Sequence, residues 1–436
     1  MSVLPASAGA GLDTDIVIVG AGAAGLAAAG VLRAEGFSTL VLEALDRVGG
    51  RAWTDHPAVL GGAQFDHGAN WLHDATRNPL IPIAQAKGVA VGPDIPWDER
   101  LRIMPGAGDK AAFFDTWSRW GQAVEARATG PDVSLAKAGD ALAGDPWLAT
   151  IEAFEGAIIA AADADVLSLR DWRDNALDGE NFIPAAGMGD LVTRCLAPAA
   201  GEVRLGVRVT GVAAMPGGVR LETSAGAVRA GAVLLTVSTG VLRAETISFL
   251  PALPQTTLAA LNGLPMGLLS KVALPAADWL GLKPGASVFR RLAQRGGPFM
   301  SAVVRPDDAP YIMGFFGGRT AWNLSARPDA ESLAFAREEL LGMLGAEAAD
   351  QGVVTDWGRH PCFLGAYAYA TPGHAGARAV LGAPLWDGRL MLAGEAAATD
   401  GMAGTVAGAF NSGRHAAGQL CAYLRGQGFT RRAQSV

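Results

Sequence analysis

Gly20, Gly22 and Gly25 stand in a GxGxxG spacing between four apolar β-formers and an Ala/Leu-rich stretch, in DIVIVGAGAAGLAAAGVLR at 15–33. The first glycine permits a tight turn, the second lets the backbone approach a pyrophosphate, and the third lets a helix pack closely on a strand. That helix would present the amides of Ala23 and Ala24 to phosphate. Glu43, followed by Ala44, closes a second apolar run at 37–42, where a carboxylate accepts ribose hydroxyls. The fingerprint alone does not choose between flavin and nicotinamide dinucleotides. In DRVGGRAWT, at 46–54, Gly49 and Gly50 are flanked by Arg47 and Arg51. Bare backbone and guanidinium groups there can meet the same pyrophosphate from its other side. Lys271 is the second residue that asks for chemistry. It interrupts the apolar stretch 268–274, and a buried lysine is costly without a task. A strand-edge lysine facing solvent is the alternative.

These groups need rigid elements. The opening segment reads as a βαβ unit. From about 105 to 169 the period is helical, with Trp117, Trp120, Val124, Ile151, Phe154 and Ile158 spaced for buried faces, which suggests a helical insertion. Residues 203–237 alternate in polarity around Pro216-Gly217-Gly218 and Ala225-Gly226, the pattern of a small β-meander. Strands are expected at 269–274, 299–304 and 311–316, with a helix at 331–344, so a second sheet follows. From 390 the chain again runs strand, glycine turn, helix. The expected class is α/β. A Rossmann-like nucleotide-binding domain, parallel sheet plus β-meander, is assigned to 1–90, 185–250 and 385–436. It is interleaved with an α+β substrate-binding domain at 91–184 and 251–384.

Composition narrows the class. Over 436 residues, 35 Lys and Arg stand against 42 Asp and Glu, a net charge of −7, which argues against a nucleic-acid footprint. With 50% apolar residues the chain can bury a large core rather than stay disordered. Residues 16–32 carry no charge, yet they fall short of the roughly 20 that span a bilayer and are broken by glycines. The first 15 residues show no export signal, and the tail around Arg431 and Arg432 shows no apolar anchor, so a cytoplasmic protein without a membrane partner is expected. Cys195, Cys362 and Cys421 form no CxxC, and no histidines cluster, so neither a disulfide framework nor a metal site is expected.

Further motifs follow in order: GGAQFDHGANWLH at 61–73, GLLSKVAL at 267–274, VTDWGRHPCFLGAYAYATPG at 354–373 and LAGEAAATDGMAGTVAGAFNSG at 392–413. Together with the glycine turns they resemble the FAD-dependent amine oxidases, the superfamily of monoamine oxidases, polyamine oxidases and lysine-specific histone demethylases. The polyamine oxidase branch is nearest, and the resemblance runs over nearly the whole chain. It implies that Gly68, Ala69, Asn70 and Trp71 line the flavin, that Val209 presents its backbone to adenine, and that Gly394 and Glu395 border the ribitol chain. Gly404, Thr405 and Val406 would meet the pyrimidine edge at a helix N-terminus, where the dipole favours negative charge on reduced flavin. Lys271 would hold a water beside flavin N5. Trp357 and Tyr367 would pack along the ring system, with Tyr367 as one wall of the substrate cage and Thr405 at the other. His73, followed by Asp74, would line the amine channel, whereas His67 has no such match.

The resemblance implies oxidation of a C–N bond in a small-molecule amine to an imine, hydrolysis to aldehyde plus amine, and reduction of O2 to hydrogen peroxide by a monomer or homodimer. Two departures stand out. Ala366 occupies the place of the cysteine that attaches flavin covalently in monoamine oxidases, so FAD should be non-covalent. Leu45 replaces an arginine common in relatives, leaving Arg47 and Arg51. One alternative is an L-amino acid oxidase, which would need Arg290, Arg291 or Arg305 to clamp a carboxylate. The other is a catalytically silent FAD-binding interaction protein, favoured by Thr405 where many oxidases keep an aromatic.

Overall fold

The computed structural model describes residues 11–105, 109–276 and 281–429; the residues before Gly11, and Arg431 and Arg432, lie outside them. In chain order the strands of the two larger sheets are β1 (Thr14–Val19), β2 (Thr39–Leu42), β3 (Leu101–Met104), β4 (Glu202–Arg204), β5 (Val209–Met215), β6 (Gly218–Thr223) and β7 (Val228–Leu235). They continue with β8 (Ser248–Leu250), β9 (Leu269–Pro275), β10 (Ser287–Arg290), β11 (Ser301–Val304), β12 (Tyr311–Gly317), β13 (Val353–Val354) and β14 (Leu390–Leu392). The helices that position the site are α1 (Ala23–Ala34), α2 (Lys110–Ala128), α3 (Leu169–Asp174), α4 (Met188–Ala200), α5 (Asp329–Leu344), α6 (Ala377–Leu381) and α7 (Val406–Gly426).

An eight-stranded sheet runs β8-β5-β6-β7-β1-β2-β4, with β14 on the second half of β7. The centre is parallel and the β5-β6-β7 meander antiparallel. Every residue of β1 is buried, as expected of a parallel strand covered on both faces. Its alternate residues feed two cores: Ile16 and Ile18 pack toward α1 and α7, Val17 and Val19 toward the meander side with Leu221, Leu235 and Leu392. Small residues let α1 and α7 touch, since a Cβ on Gly413 would lie 2.1 Å from the Ala24 carbonyl oxygen.

The second sheet, six-stranded, runs β13-β9-β12-β11-β10-β3 and draws its strands from stretches between those of the first. Its β9-β12 pair sets Lys271 opposite Phe315. Strands β3 and β10 carry no alternation strong enough to announce them in sequence. The helical insertion is broken: α2, capped by the Asp109 carboxylate on the Ala112 amide at 3.0 Å, gives way to shorter turns and to a π-helical turn, Ala153–Ile159. Gly156 sits where any Cβ would come within 2.8 Å of the Ala162 carbonyl oxygen, so this turn can pack against 162–164. Among the described residues no helix is long and apolar enough to cross a membrane.

Candidate active site

A cavity of about 1400 Å³ begins at the C-terminal ends of β1 and β2 and reaches β9 to β12 of the second sheet. A single drug-sized ligand usually occupies about 300–1,000 Å³, so this space suits an extended cofactor plus a substrate.

At the nucleotide end, Gly20 turns with φ +104° and Gly25 lets α1 meet the strand, because a Cβ there would lie 2.0 Å from the Gly20 carbonyl oxygen. Gly25 therefore packs, while Gly20, Gly22, Ala23 and Ala24 face the cavity. Gly22 bridges to Gly49, and a Cβ on it would meet nothing closer than the Gly50 Cα at 4.0 Å, so both backbones present a bare face. Gly22 caps α1 without a side-chain hydrogen bond, which leaves the first amides available to an anion. The Glu43 carboxylate is buried and fixed by the Ala21 amide at 2.6 Å and the Leu45 amide at 2.9 Å, beside Ala44 on the wall. Val209, the first residue of β5, lines the same end. These bare faces, unfilled amides and held carboxylate fit the diphosphate and ribose of FAD.

The two arginines of the second glycine pair part company. Arg51 lines the cavity, donating to Glu395 at 2.9 Å and to the Ala366 carbonyl at 2.6 Å. Arg47 does not line it. Its guanidinium donates to the Gly50 carbonyl at 2.9 Å and stacks 4.6 Å from the Trp53 ring centroid, so it supports the turn from behind. Glu395 is buried and also accepts from the Ala368 amide at 3.1 Å, tying the cofactor wall to the short strand Tyr367–Ala368. Gly394 and Gly404 reach φ +133° and +77° and add further faces without Cβ. The Thr405 hydroxyl caps α7, accepting from the Gly408 amide at 2.9 Å and donating to the Met402 carbonyl at 2.7 Å. Thr405 and Val406 thus bring a helix N-terminus to the wall.

Lys271 is 4% exposed, which rules out the solvent-facing alternative. Its Nζ donates to the carbonyls of Asp66, at 2.7 Å, and Gly68, and to the side-chain oxygen of Asn70. Burial brings its pKa down to about 7, opposed by the negative charge of Asp66. Asp66 is the residue that sequence reading missed here. Its carboxylate accepts from the Met188 amide at the start of α4, 3.1 Å, from Thr54 and from Asn70, and so fixes the loop that carries Gly68, Ala69 and Asn70. The loop crosses Arg51 so closely that a Cβ on Gly68 would sit 1.7 Å from the Arg51 carbonyl oxygen. Trp357 donates to the His67 carbonyl at 3.0 Å and meets Phe363 edge-on at 5.0 Å. His67 itself stacks on Trp53 at 3.8 Å, with its pKa lowered to about 4 chiefly by burial. It packs against Trp53 and also borders the cavity.

Tyr367 is half-buried and its hydroxyl donates to the Ile159 carbonyl at 2.8 Å, on the π-helical turn. Burial, reinforced by Glu395, raises its pKa, so the phenol is neutral. Trp71 donates to Asp94 at 2.9 Å, and Asp94 is paired with Arg100 at 2.9 Å. His73 lines the cavity with Nδ1 3.0 Å from the side-chain oxygen of Asn181, and burial lowers its pKa, so it is a neutral hydrogen-bonding group. Asp74 turns away to Thr76 at 3.0 Å and Arg77 at 3.2 Å, and is absent from the wall. Sequence reading also missed a buried ion pair on the wall, Arg378 to Asp171 at 2.6 Å, contributed by α6 and α3. An arginine in the apolar helix 377–381 was its only signal.

The family model for flavin containing amine oxidoreductases matches residues 134–421, and that of an NAD(P)-binding Rossmann-like domain matches 18–82. Polyamine oxidase 5 of Oryza sativa subsp. japonica is 29% identical over 91% of this chain and 86% of its own length. Probable polyamine oxidase 4 of Arabidopsis thaliana is 30% identical over 83% of this chain and 78% of its own. Lysine-specific histone demethylase 1 homolog 3 of Oryza sativa subsp. indica is 29% identical, over 93% of this chain but 54% of its own. In fold the chain is similar to a solved putrescine oxidase double mutant, with TM-score 0.77 at 22% identity, covering 94% of this chain and 99% of that one. Since the first family match spans well over half of its length, the chain belongs to the flavin containing amine oxidoreductases.

Proposed function

We propose that the protein oxidises a C–N bond of a polyamine or related amine to an imine, which water hydrolyses to an aldehyde and an amine, with dioxygen reduced to hydrogen peroxide. The observation that carries this reading is the buried Lys271 on the wall of a cavity whose far end is the glycine cradle. FAD, when bound, supplies the acceptor for the two electrons and hydrogen that leave the substrate. Gly20, Gly22 and Gly49 with the α1 amides would hold its diphosphate, Glu43 a ribose, and the start of α7 the pyrimidine edge. Trp357 and Tyr367 supply aromatic walls that exclude water and orient the amine. Such walls disfavour an ammonium, so the reacting nitrogen loses its proton more readily than in water. Lys271, pulled to about 7, is a cation in acid and neutral in base, placed to stabilise negative charge as oxygen is reduced.

Two results follow. Lys271→Met should slow reoxidation of the reduced enzyme about a hundredfold, the scale of losing one preorganised donor. It should also abolish a fall in the wild-type reoxidation rate as pH rises through about 7, where the ammonium is lost; an unchanged rate and pH profile in stopped-flow measurements would remove the lysine from the mechanism. Ala366 offers no thiol beside Tyr367, so acid precipitation should release intact FAD; yellow flavin left in the pellet would contradict non-covalent binding.

The three arginines considered for an L-amino acid oxidase are not placed to clamp a carboxylate in the cavity. Arg290 is engaged by Glu339 at 2.9 Å, Arg291 lies over Trp147 at 5.5 Å, Arg305 pairs with Asp308, and none of the three lines the cavity. Peroxide release compared across polyamines and L-amino acids separates the two activities. The proposal includes a cytoplasmic monomer or homodimer; the net charge of −7 supports only the part of it that leaves out a nucleic-acid partner.

A further inference from the structure

Arg208 lines the nucleotide end of the cavity, and nothing above uses it. It closes the strap 205–208, which carries the chain from the end of β4 to the start of β5. The strap lies on the Glu43 turn: the Gly206 amide donates to the Leu45 carbonyl and the Val207 amide to the Glu43 carbonyl, both at 2.8 Å. The backbone of Arg208 is fixed as well, its amide donating to the Ser224 hydroxyl at 3.0 Å and its carbonyl accepting from the Ser224 amide at 2.8 Å. Its side chain is not held in that way. The other arginines that line the cavity each have a carboxylate: Arg51 has Glu395, Arg100 has Asp94, Arg173 has Asp174 and Arg378 has Asp171. Among the described residues Arg208 pairs with no carboxylate, and its guanidinium reaches only the Cys362 thiol, at 3.6 Å.

That contact spans the end of the cavity. Cys362 stands between Pro361 and Phe363, all three on the wall, and the Phe363 carbonyl accepts from the Ser238 hydroxyl at 2.5 Å just beyond β7. The guanidinium therefore lies between the strap and the 361–363 turn, beside the carboxylate that fits a ribose. No other cation arrives there from 43–47: Leu45 packs against the core of Trp357 and Phe363, and Arg47 is turned onto Trp53. The diphosphate has its own donors at the glycine turns, so the part of the dinucleotide left for this end is the base carried by the Glu43 ribose. A guanidinium is planar and weakly hydrated, and it stacks on aromatic faces, those of nucleobases included. We propose that Arg208 stacks on the adenine face of FAD, and that this contact makes the chain select the whole dinucleotide over FMN. The proposal rests on the fit of FAD to this cavity.

The test titrates the full chain, stripped of flavin, with FAD and with FMN, which lacks the adenosine. Wild type should bind FAD about a hundredfold more tightly than FMN, or better. Arg208→Ala should weaken FAD about tenfold, within the range for losing one side chain stacked on a base, and leave FMN unchanged. Arg208→Lys keeps the charge and loses the plane, so it should bind FAD no better than alanine, with the same loss at about 0.1 and 0.5 M salt. Unchanged FAD affinity in Arg208→Ala would overturn the proposal. Full recovery with lysine that fades at high salt would also overturn it, by placing the charge on a phosphate. If the alanine variant does not fold, wild type decides: FMN bound as tightly as FAD overturns the proposal, and the expected preference for FAD supports it. Failure of wild type to bind either flavin would instead overturn the FAD reading.

Discussion

Gly25→Val is expected to give a chain that purifies without yellow colour, with affinity for added FAD reduced more than a hundredfold. The reason is local and steric. A Cβ at position 25 would lie 2.0 Å from the Gly20 carbonyl oxygen and 3.2 Å from a methyl of Ile18, so the start of α1 must move away from β1. That movement carries with it the Ala23 and Ala24 amides and the bare approach of Gly22 to Gly50, which are the features that fit a diphosphate. Overpacking of this kind costs about 1–3 kcal/mol even where side chains can yield, and here a backbone carbonyl cannot. A penalty of about 3 kcal/mol alone is roughly two orders of magnitude in binding. Gly418→Ala is the matched control. Gly418 lies exposed within α7, a Cβ there meets nothing within 4 Å, and alanine should stabilise the helix by about 0.5–1 kcal/mol. Fluorimetric titration of apoprotein with FAD distinguishes them, and tight binding by Gly25→Val would show that the glycine turn does not hold the cofactor.

Arg378→Met is expected to be the most destabilising single substitution on the cavity wall. Arg378 and Asp171 are 5% and 4% exposed, and the guanidinium also donates to the carbonyls of Ala368 and Ala396 at 3.2 and 3.3 Å. It therefore ties α3, the Tyr367 strand and the Glu395 turn together. Removing one partner leaves a buried carboxylate uncompensated, which costs about 3–5 kcal/mol, whereas replacing both with apolar groups is close to neutral. The thermal midpoint of Arg378→Met should fall by roughly 3–5 °C, and Asp171→Leu added to it should recover most of the loss. No recovery in the double variant would mean that the carbonyl contacts of Arg378, rather than its charge, hold the wall. Because Tyr367 hangs from the same strand, the single variant should also bind amine more weakly before it loses FAD.

What could be foreseen followed the range of the interactions involved. The strand, turn and helix at 14–34 were legible because glycine spacing and apolar runs are local signals, and Lys271 was legible because a charge in an apolar strand is itself an anomaly. The course of Arg47 was not: the same sequence lets a guanidinium reach a phosphate or fold back on Trp53, and only the neighbouring ring decides. Asp66 and the Arg378–Asp171 pair were hidden for a different reason. Asp66 works through α4, which begins at Met188, and Arg378 through a residue 207 positions away. Chain order brings none of these partners near one another. Strands β3 and β10 pair in parallel across a similar gap, so neither shows a turn or an alternating partner to betray it.

The most direct test is an anaerobic titration of the purified holoenzyme with a diamine such as putrescine or a polyamine such as spermidine, followed by admission of air. The visible flavin band should bleach as amine is added, an aldehyde should form in equal amount, and the colour should return with one hydrogen peroxide per turnover. A protein that carries FAD and is bleached by dithionite, yet by no amine in a panel of monoamines, diamines and polyamines, would contradict amine oxidation at this site.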